Sequence, residues 1–414
     1  MTTTPTDHDL SAPPQNPLGG VDPQRPHGNE SSDASNELTV SRANLKMVML
    51  PAVLIVIFAY FTIATPNHVF LSPRNLSMLA IELSITAVLA LGMLLVILPG
   101  HIDLSVGSGV GLLGGIAAVL VIEHNWPAPL ALLVGAISGI VLWWLMGWLI
   151  VKQRVPAFII TLGGLLVFRG LHWKVIHNAT VPVSRGGETN LYSILTTFYL
   201  PPWLGLVLAL VVIGLLAAAA VATHRRLRRS ASRHDGELLF LRTFVAIQVV
   251  LLFVVVCNAY RGVPLPAIIL GGAAVVIVVL TRHTPYGRYL YAIGGNEEAA
   301  IVSGVPVAKV TIGAFAILGL LTAVTGFLQT AYAGASTTTI GELLELDAIA
   351  ACVIGGVSLK GGRGTVGGVL LGSLIMAALL NGMTLMAYSP EAKYVIRGTV
   401  LAAAVWADLR FARR

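Results

Sequence analysis

Between Leu76 and Ile122 the chain runs for 47 residues with little but apolar side chains. As a single helix it would measure about 70 Å, more than twice a hydrocarbon core of about 30 Å. The run must therefore turn back on itself, and its one strong breaker is Pro99-Gly100. Asp103 and Ser105 follow, and their side-chain oxygens suit the capping of a new helix. Gly107, Gly111 and Gly115 then repeat every four residues, which leaves one helix face bare for close approach by another helix. Stretches of similar character recur along the chain, and only 11% of its 414 residues are charged, against about 25% in a soluble protein. The expected fold class is an all-α polytopic membrane protein. A transmembrane barrel would show short alternating strands instead.

Ten to twelve membrane-spanning segments are expected. The twelve candidates lie near 47–65, 77–98, 104–122, 128–151, 156–172, 202–222, 240–257, 264–281, 310–331, 346–357, 365–386 and 394–409. With a cytoplasmic N-terminus, eighteen Lys and Arg fall in inside segments and five in outside ones, of 26 in all. That asymmetry favours cytoplasmic N- and C-termini. The formal charge of +7 is thus topological and does not point to nucleic acid. Residues 1–41, rich in Pro, Ser, Thr, Asn, Asp and Gly, read as a disordered cytoplasmic tail ahead of a membrane domain at 42–414. No cleavable signal peptide is expected. Cys257 and Cys352 both sit in apolar segments and offer no disulfide framework or zinc spacing, so neither metal nor cofactor is expected.

The segment 346–357, "LDAIAACVIGGV", is too short to cross a bilayer comfortably. It reads either as a broken or re-entrant element, allowed only against protein or a water-filled cavity, or as a short tilted span. The loop 282–309 is well formed for a connector. Gly294-Gly295 precedes Asn296, a good N-cap, and Glu297 and Glu298 suit the positive end of the helix it begins. Ala299 and Ala300 continue that helix, Ile301 and Val302 give it an apolar side, and Gly304 and Pro306 end it. Two turns with an apolar side are marginal alone. Either a groove in a partner covers them, or they pack on their own membrane domain.

This loop carries a family resemblance. "EEAAIVSG" resembles the Glu-Ala-Ala…Gly coupling motif of ABC importer permeases, and "YGRYLYAIGGNEEAAIVSGV" is similar to the ribose/galactose/xylose permease family. "GHIDLSVGS" (100–108), "VPAFIITLGGLLVFRG" (155–170) and "ELDAIAACVIGGVSLKGGRGTVGG" (345–368) agree with it in order, so the resemblance covers roughly residues 45–410. Extra material at 202–260 and the phrase "NAYRGVPLP" resemble the xylose-type members in particular. The resemblance implies an ABC sugar importer in the bacterial plasma membrane, with two permease copies, a separate ATPase subunit and an extracytoplasmic sugar-binding protein that delivers a monosaccharide. It also implies that Tyr286, Gly287, Arg288, Gly294, Gly295, Asn296, Glu297, Glu298, Ala299, Ala300 and Gly304 form the surface that meets the ATPase. The chain itself has no G-x-x-x-x-G-K-[ST] loop, so ATP hydrolysis is expected on another polypeptide.

Polar groups at membrane depth are costly and often functional, so Glu82, Asp103, Thr161, Gln329 and Asn381 are candidates for the sugar path. Each has a plainer reading as a helix cap or an interhelical hydrogen bond, and for Asp103 the cap is favoured. Trp126 and the 331–345 loop with Glu342 and Glu345 are candidates for meeting the binding protein. The alternative class is an ion-gradient-driven secondary transporter, for which Glu82 is the only acid well within a span. A membrane enzyme would need a catalytic constellation that the sequence does not offer.

Overall fold

The computed structural model describes residues 50–227 and 234–412, all within one compact unit, Leu50–Arg414. The tail at 1–41 and the centre of the basic loop, 228–233, lie outside the described residues. Nearly everything described is helical. In chain order the helices are α1 (Leu50–Ala64), α2 (Pro73–Ile97), α3 (Val106–Ile122), α4 (Ala128–Gln153), α5 (Ala157–Val175), α6 (Leu191–Thr197), α7 (Pro202–Leu227) and α8 (His234–Asn258). They continue with α9 (Leu265–His283), α10 (Pro285–Gly295), α11 (Glu297–Val302), α12 (Val307–Ala333), α13 (Leu344–Ile354), α14 (Val366–Leu385) and α15 (Pro390–Ala412).

Among the described residues, eight helices are long and apolar enough to cross a membrane: α2, α4, α5, α7, α8, α9, α12 and α14. The expectation of twelve spans is therefore not met helix by helix. Helices α1 and α3 are apolar but shorter, α13 has only 11 residues, and α15 carries Glu391, Lys393, Arg397 and Arg410. Two of these four, α3 and α13, adjoin segments where the sequence interrupts itself with Pro, Gly and acids.

Burial sorts the helices. Every residue of α2 from Ser84 to Ile97 is buried, and it is apolar all round as a central helix must be. α7 and α8 are largely exposed, as lipid-facing helices would be, and form a hairpin at the place of the extra material read from the sequence. Helix α12 crosses α4 at Gly319 and Gly139, where a Cβ on Gly319 would strike the Gly139 carbonyl. It meets α3 at Gly326, opposite the Val110 carbonyl. Small residues let backbones approach in this way where water supplies no hydrophobic drive.

The connections segregate to the two ends of the bundle as the alternating topology requires. At one end Gly362 N donates to the Leu98 carbonyl at 2.8 Å, and Tyr291 Oη donates to the Gly364 carbonyl at 2.8 Å. At the other, short strands pair: β1 (Val181–Pro182) with β4 (Ala335–Ser336), and β2 (Tyr199–Leu200) with β3 (Val263–Pro264). There too α6, capped by Asn190, sends buried Tyr192 inward to donate to the Gly114 carbonyl at 2.9 Å.

Gly319→Leu is expected to block the α4–α12 approach and abolish recovery of folded protein in detergent. Gly271→Leu, on α9 with nothing within 4 Å of its added Cβ, is expected to be tolerated. Size-exclusion profiles of the two variants check this, and equal recovery would contradict the packing.

Candidate functional site

Two segments of the chain enter the bundle as irregular backbone before turning helical. The first leaves α2 at Leu98, turns at Pro99-Gly100 and runs through residues 101–105 before α3 begins at Val106. It does not stay at the bundle end. Thr161 on α5 donates to the Ile102 carbonyl at 3.3 Å, and Trp143, well inside α4, donates from Nε1 to Asp103 Oδ2 at 2.7 Å. Asp103 is fully buried and also accepts from Ser105 N at 2.7 Å and Ser105 Oγ at 2.6 Å. Its oxygens hold Ser105, the residue just ahead of α3, and tie that turn to α4, while no side chain caps α3 directly.

The second segment follows β4. Residues 337–343 turn down along α3, where the chain approaches closely enough that a Cβ on Gly341 would strike the Gly107 carbonyl. Gly107 lies fifteen residues, about 22 Å, from the far end of α3. Residues 331–345 are therefore not a surface loop as the sequence suggested, because their later part descends into the bundle. Leu343 takes a left-handed conformation at φ 64° to launch α13, an uncommon state for a residue with a Cβ. Helix α13 then continues in the same direction, with Cys352 Sγ donating to the Ala90 carbonyl of α2 at 3.3 Å. Within 346–357 only the 11-residue α13, Leu344–Ile354, is helical, and it is preceded by the irregular turn at 337–343. The bare face at Gly107, Gly111 and Gly115 is used, but by this irregular strand and by His172 and Ile176 at the end of α5.

The remaining path candidates form a separate group. Glu82 accepts from Tyr332 Oη at 2.9 Å and from Asn381 Nδ2 at 3.1 Å, and Asn75 Nδ2 donates to Asn381 Oδ1 at 2.9 Å. Gln329 is half-buried one turn before Tyr332 on α12. The structure thus joins Asp103 with Thr161, and Glu82 with Asn381, but not the two pairs with each other.

At the bundle end that holds Leu98, α10 and α11 make a platform. Thr284 caps α10 by accepting from Gly287 N at 3.3 Å, and Asn296 caps α11 by accepting from Ala299 N at 2.9 Å. Tyr286 Oη donates to the Val310 carbonyl of α12 at 3.0 Å. Burial raises the pKa of the Tyr286 and Tyr291 hydroxyls, so both remain protonated donors. Gly294 sits in a seam between the Leu98 carbonyl and Gly361-Gly362, with no room for a side chain. Of α11 only Ala300 is buried. Glu297, Glu298 and Ala299 are exposed, as are Arg288 of α10 and Gly295 and Gly304 beside α11. Ile301 and Val302 are 56% and 89% exposed.

Residues 75–405 match the family described as branched-chain amino acid transport system / permease component. The chain belongs to that permease family. It is 39% identical over 375 residues to the xylose transport system permease protein XylH of Escherichia coli strain K12, covering 90% of this chain and 93% of the relative. It is 38% identical to XylH of Haemophilus influenzae over 370 residues, 88% and 96% of the two chains. It is also 34% identical to the ribose import permease protein RbsC of Bacillus subtilis over 342 residues, 83% and 87% of the two chains. No solved structure matches. The permease is thus a multi-pass protein of the bacterial cell membrane, a component of a transport system.

Sequence reasoning missed two residues of this permease that the structure sets at membrane depth. Arg169 lies in α5, six residues or about 9 Å before its end, and its Nη2 pairs with Glu342 Oε1 at 3.2 Å. The sequence placed Glu342 in the 331–345 loop and did not pair it with Arg169. The signal was a lone cation within "LLVFRGLHW".

Trp143→Phe removes one of the donors to buried Asp103 and leaves a carboxylate oxygen without that partner. The expected cost is about 1–3 kcal/mol, read as a melting midpoint lower by a few degrees in detergent. An unchanged midpoint would remove Asp103 from its place as the tie between α3 and α4.

Proposed function

We propose that this permease is the membrane subunit of an ATP-driven importer of a monosaccharide, D-xylose or a related aldose. In this reading α10 and α11 face the cytoplasm and both termini lie on that side. An ABC ATPase subunit docks on α11, a second copy of the chain completes the pathway, and an extracytoplasmic sugar-binding protein delivers substrate at the opposite end.

One observation carries the reading. A two-turn helix with two acids in its first turn presents Ile301 and Val302 to the outside, while its foot is locked to the membrane bundle. Six residues cannot stabilise themselves and would not expose such side chains to water without a partner to cover them. The foot is the Gly294 seam, which touches the chain just before the first interrupted segment, at Leu98, and beyond the far end of α13, the helix that follows the second, at Gly361-Gly362. A push on α11 therefore reaches the first interrupted segment through backbone contact at Leu98, and the second through Gly361-Gly362 and α13. ATP-dependent closure of two docked ATPases biases the bundle only if they bind its inward-open and outward-open states with different affinity.

The sugar is argued from relatives. The xylose permeases named above are more similar to the chain than the ribose permease, and the α7–α8 hairpin holds the segment at 202–260 that resembles the xylose-type members in sequence. The ion-gradient alternative gains nothing, since Glu82, the acid it needed, is occupied by Tyr332 and Asn381.

Reconstituted with its ATPase and binding protein in liposomes, the permease is expected to accumulate labelled D-xylose only when ATP is supplied. Glu298→Arg places a cation at the positive end of α11 and against the docked partner. It is expected to insert normally and to lose at least tenfold in uptake. Normal uptake by that variant, or wild-type uptake driven by a proton gradient without ATP, would refute the reading.

A further inference from the structure

Where the two interrupted segments meet, a cleft opens between α3, α5 and the descending strand, lined by Ser108, Arg169, His172, Thr338, Glu342 and Glu345. Its residues come from parts of the chain over 230 positions apart in sequence. Three physical facts about it converge. First, the Arg169–Glu342 pair remains 40% and 34% exposed although Arg169 lies about 9 Å inside the end of a spanning helix. Such a pair does not face lipid tails, so this side of α5 must face water or protein. Second, the strand at 337–343 is irregular backbone deep in the bundle, which is admissible only against protein or a water-filled cavity. Third, α3 and α13 both begin beside it, so two positive helix ends approach one place, as discontinuous helices do around transported solutes.

The chemistry of the lining selects the ligand. Arg169 offers donors and Glu342 acceptors, and they compensate each other's charge. Ser108 and Thr338 add hydroxyls, and His172 is oriented by Ser336 Oγ at 3.1 Å from its Nε2. Trp173 stands at the edge with its indole N–H bonded to the Thr338 carbonyl at 3.1 Å and the Arg169 guanidinium 5.6 Å from its ring centre. Facing donors and acceptors beside an aromatic ring suit a neutral polyhydroxylated ring, and with Glu345 the lining sets two carboxyl groups against one guanidinium, which disfavours an anion. We propose that this cleft is a sugar-binding station within the permease, in which Arg169 and Glu342 exchange their mutual contact for hydroxyl groups of the passing monosaccharide. The sugar identity rests on the reading under Proposed function, whereas the position of the cleft does not.

Two measurements on the reconstituted transporter test it. Both native cysteines are buried, so a single introduced thiol can be followed. Thr338→Cys is expected to react with a charged, membrane-impermeant methanethiosulfonate at least tenfold faster than Val167→Cys, which lies 57% exposed two residues from Arg169, on the other side of α5, and faces lipid in this scheme. Equal or slower reaction would overturn the aqueous cleft whatever the solute. Glu342→Gln keeps the size of the side chain and removes its charge. It is expected to lower uptake of D-xylose at least tenfold while ATP hydrolysis stimulated by the binding protein persists. Full uptake would overturn the station, and so would joint loss of uptake and stimulated hydrolysis, which assigns Glu342 to assembly. If the wild type carries D-ribose but not D-xylose, the sugar assignment fails and both tests are repeated with D-ribose unchanged in meaning.

Discussion

A peptide group at membrane depth must find a hydrogen-bond partner in the protein or in water, because lipid offers none. This permease breaks its helices twice under that constraint, at 99–105 and at 337–343. Most other features of the bundle can be read as consequences. Asp103, Ser105 and Trp143 satisfy the first break, and glycines at 107 and 341 let the second lie against the first. The shortness of α3 and α13 is the geometric result, since each shares its crossing with an irregular segment.

The same breaks join the bundle end that holds α11 to its interior. The Gly294 seam touches Leu98, next to the first interrupted segment, and Gly361-Gly362, which α13 connects to the second. The seam is backbone against backbone, with few rotatable side chains to absorb motion. Stiff contact of this kind transmits displacement, where a layer of long side chains would dissipate it. The proposed lever and the proposed station are thus connected by covalent chain and hydrogen bonds over their whole separation.

Much of this was legible in the sequence because the physics involved is local. A 47-residue apolar run with one Pro-Gly has to turn there. Asn296 followed by two acids, with Gly304 and Pro306 beyond, specifies a short helix, and α11 runs Glu297–Val302. The strand at 337–343 was harder, because "TTTIGELL" has the composition of any surface loop and its burial comes from Gly107 of α3, more than 200 residues away. For the same reason Glu342 and Glu345 passed for outer-loop acids. The count of spans failed where hydropathy was asked to convert directly into helices: α13 is apolar yet half the needed length, since its other half is not helical.

The central claim is that α11 is a cytoplasmic lever held by an external motor. Its most direct test is a cysteine at Val302, the most exposed apolar residue of the helix. In sealed vesicles of known sidedness, Val302→Cys should react with an impermeant thiol reagent only from the cytoplasmic face, and should form a disulfide with a cysteine-substituted ATPase subunit that changes with ATP. Reaction from the opposite face, or unhindered reaction in the fully assembled transporter, would contradict the account.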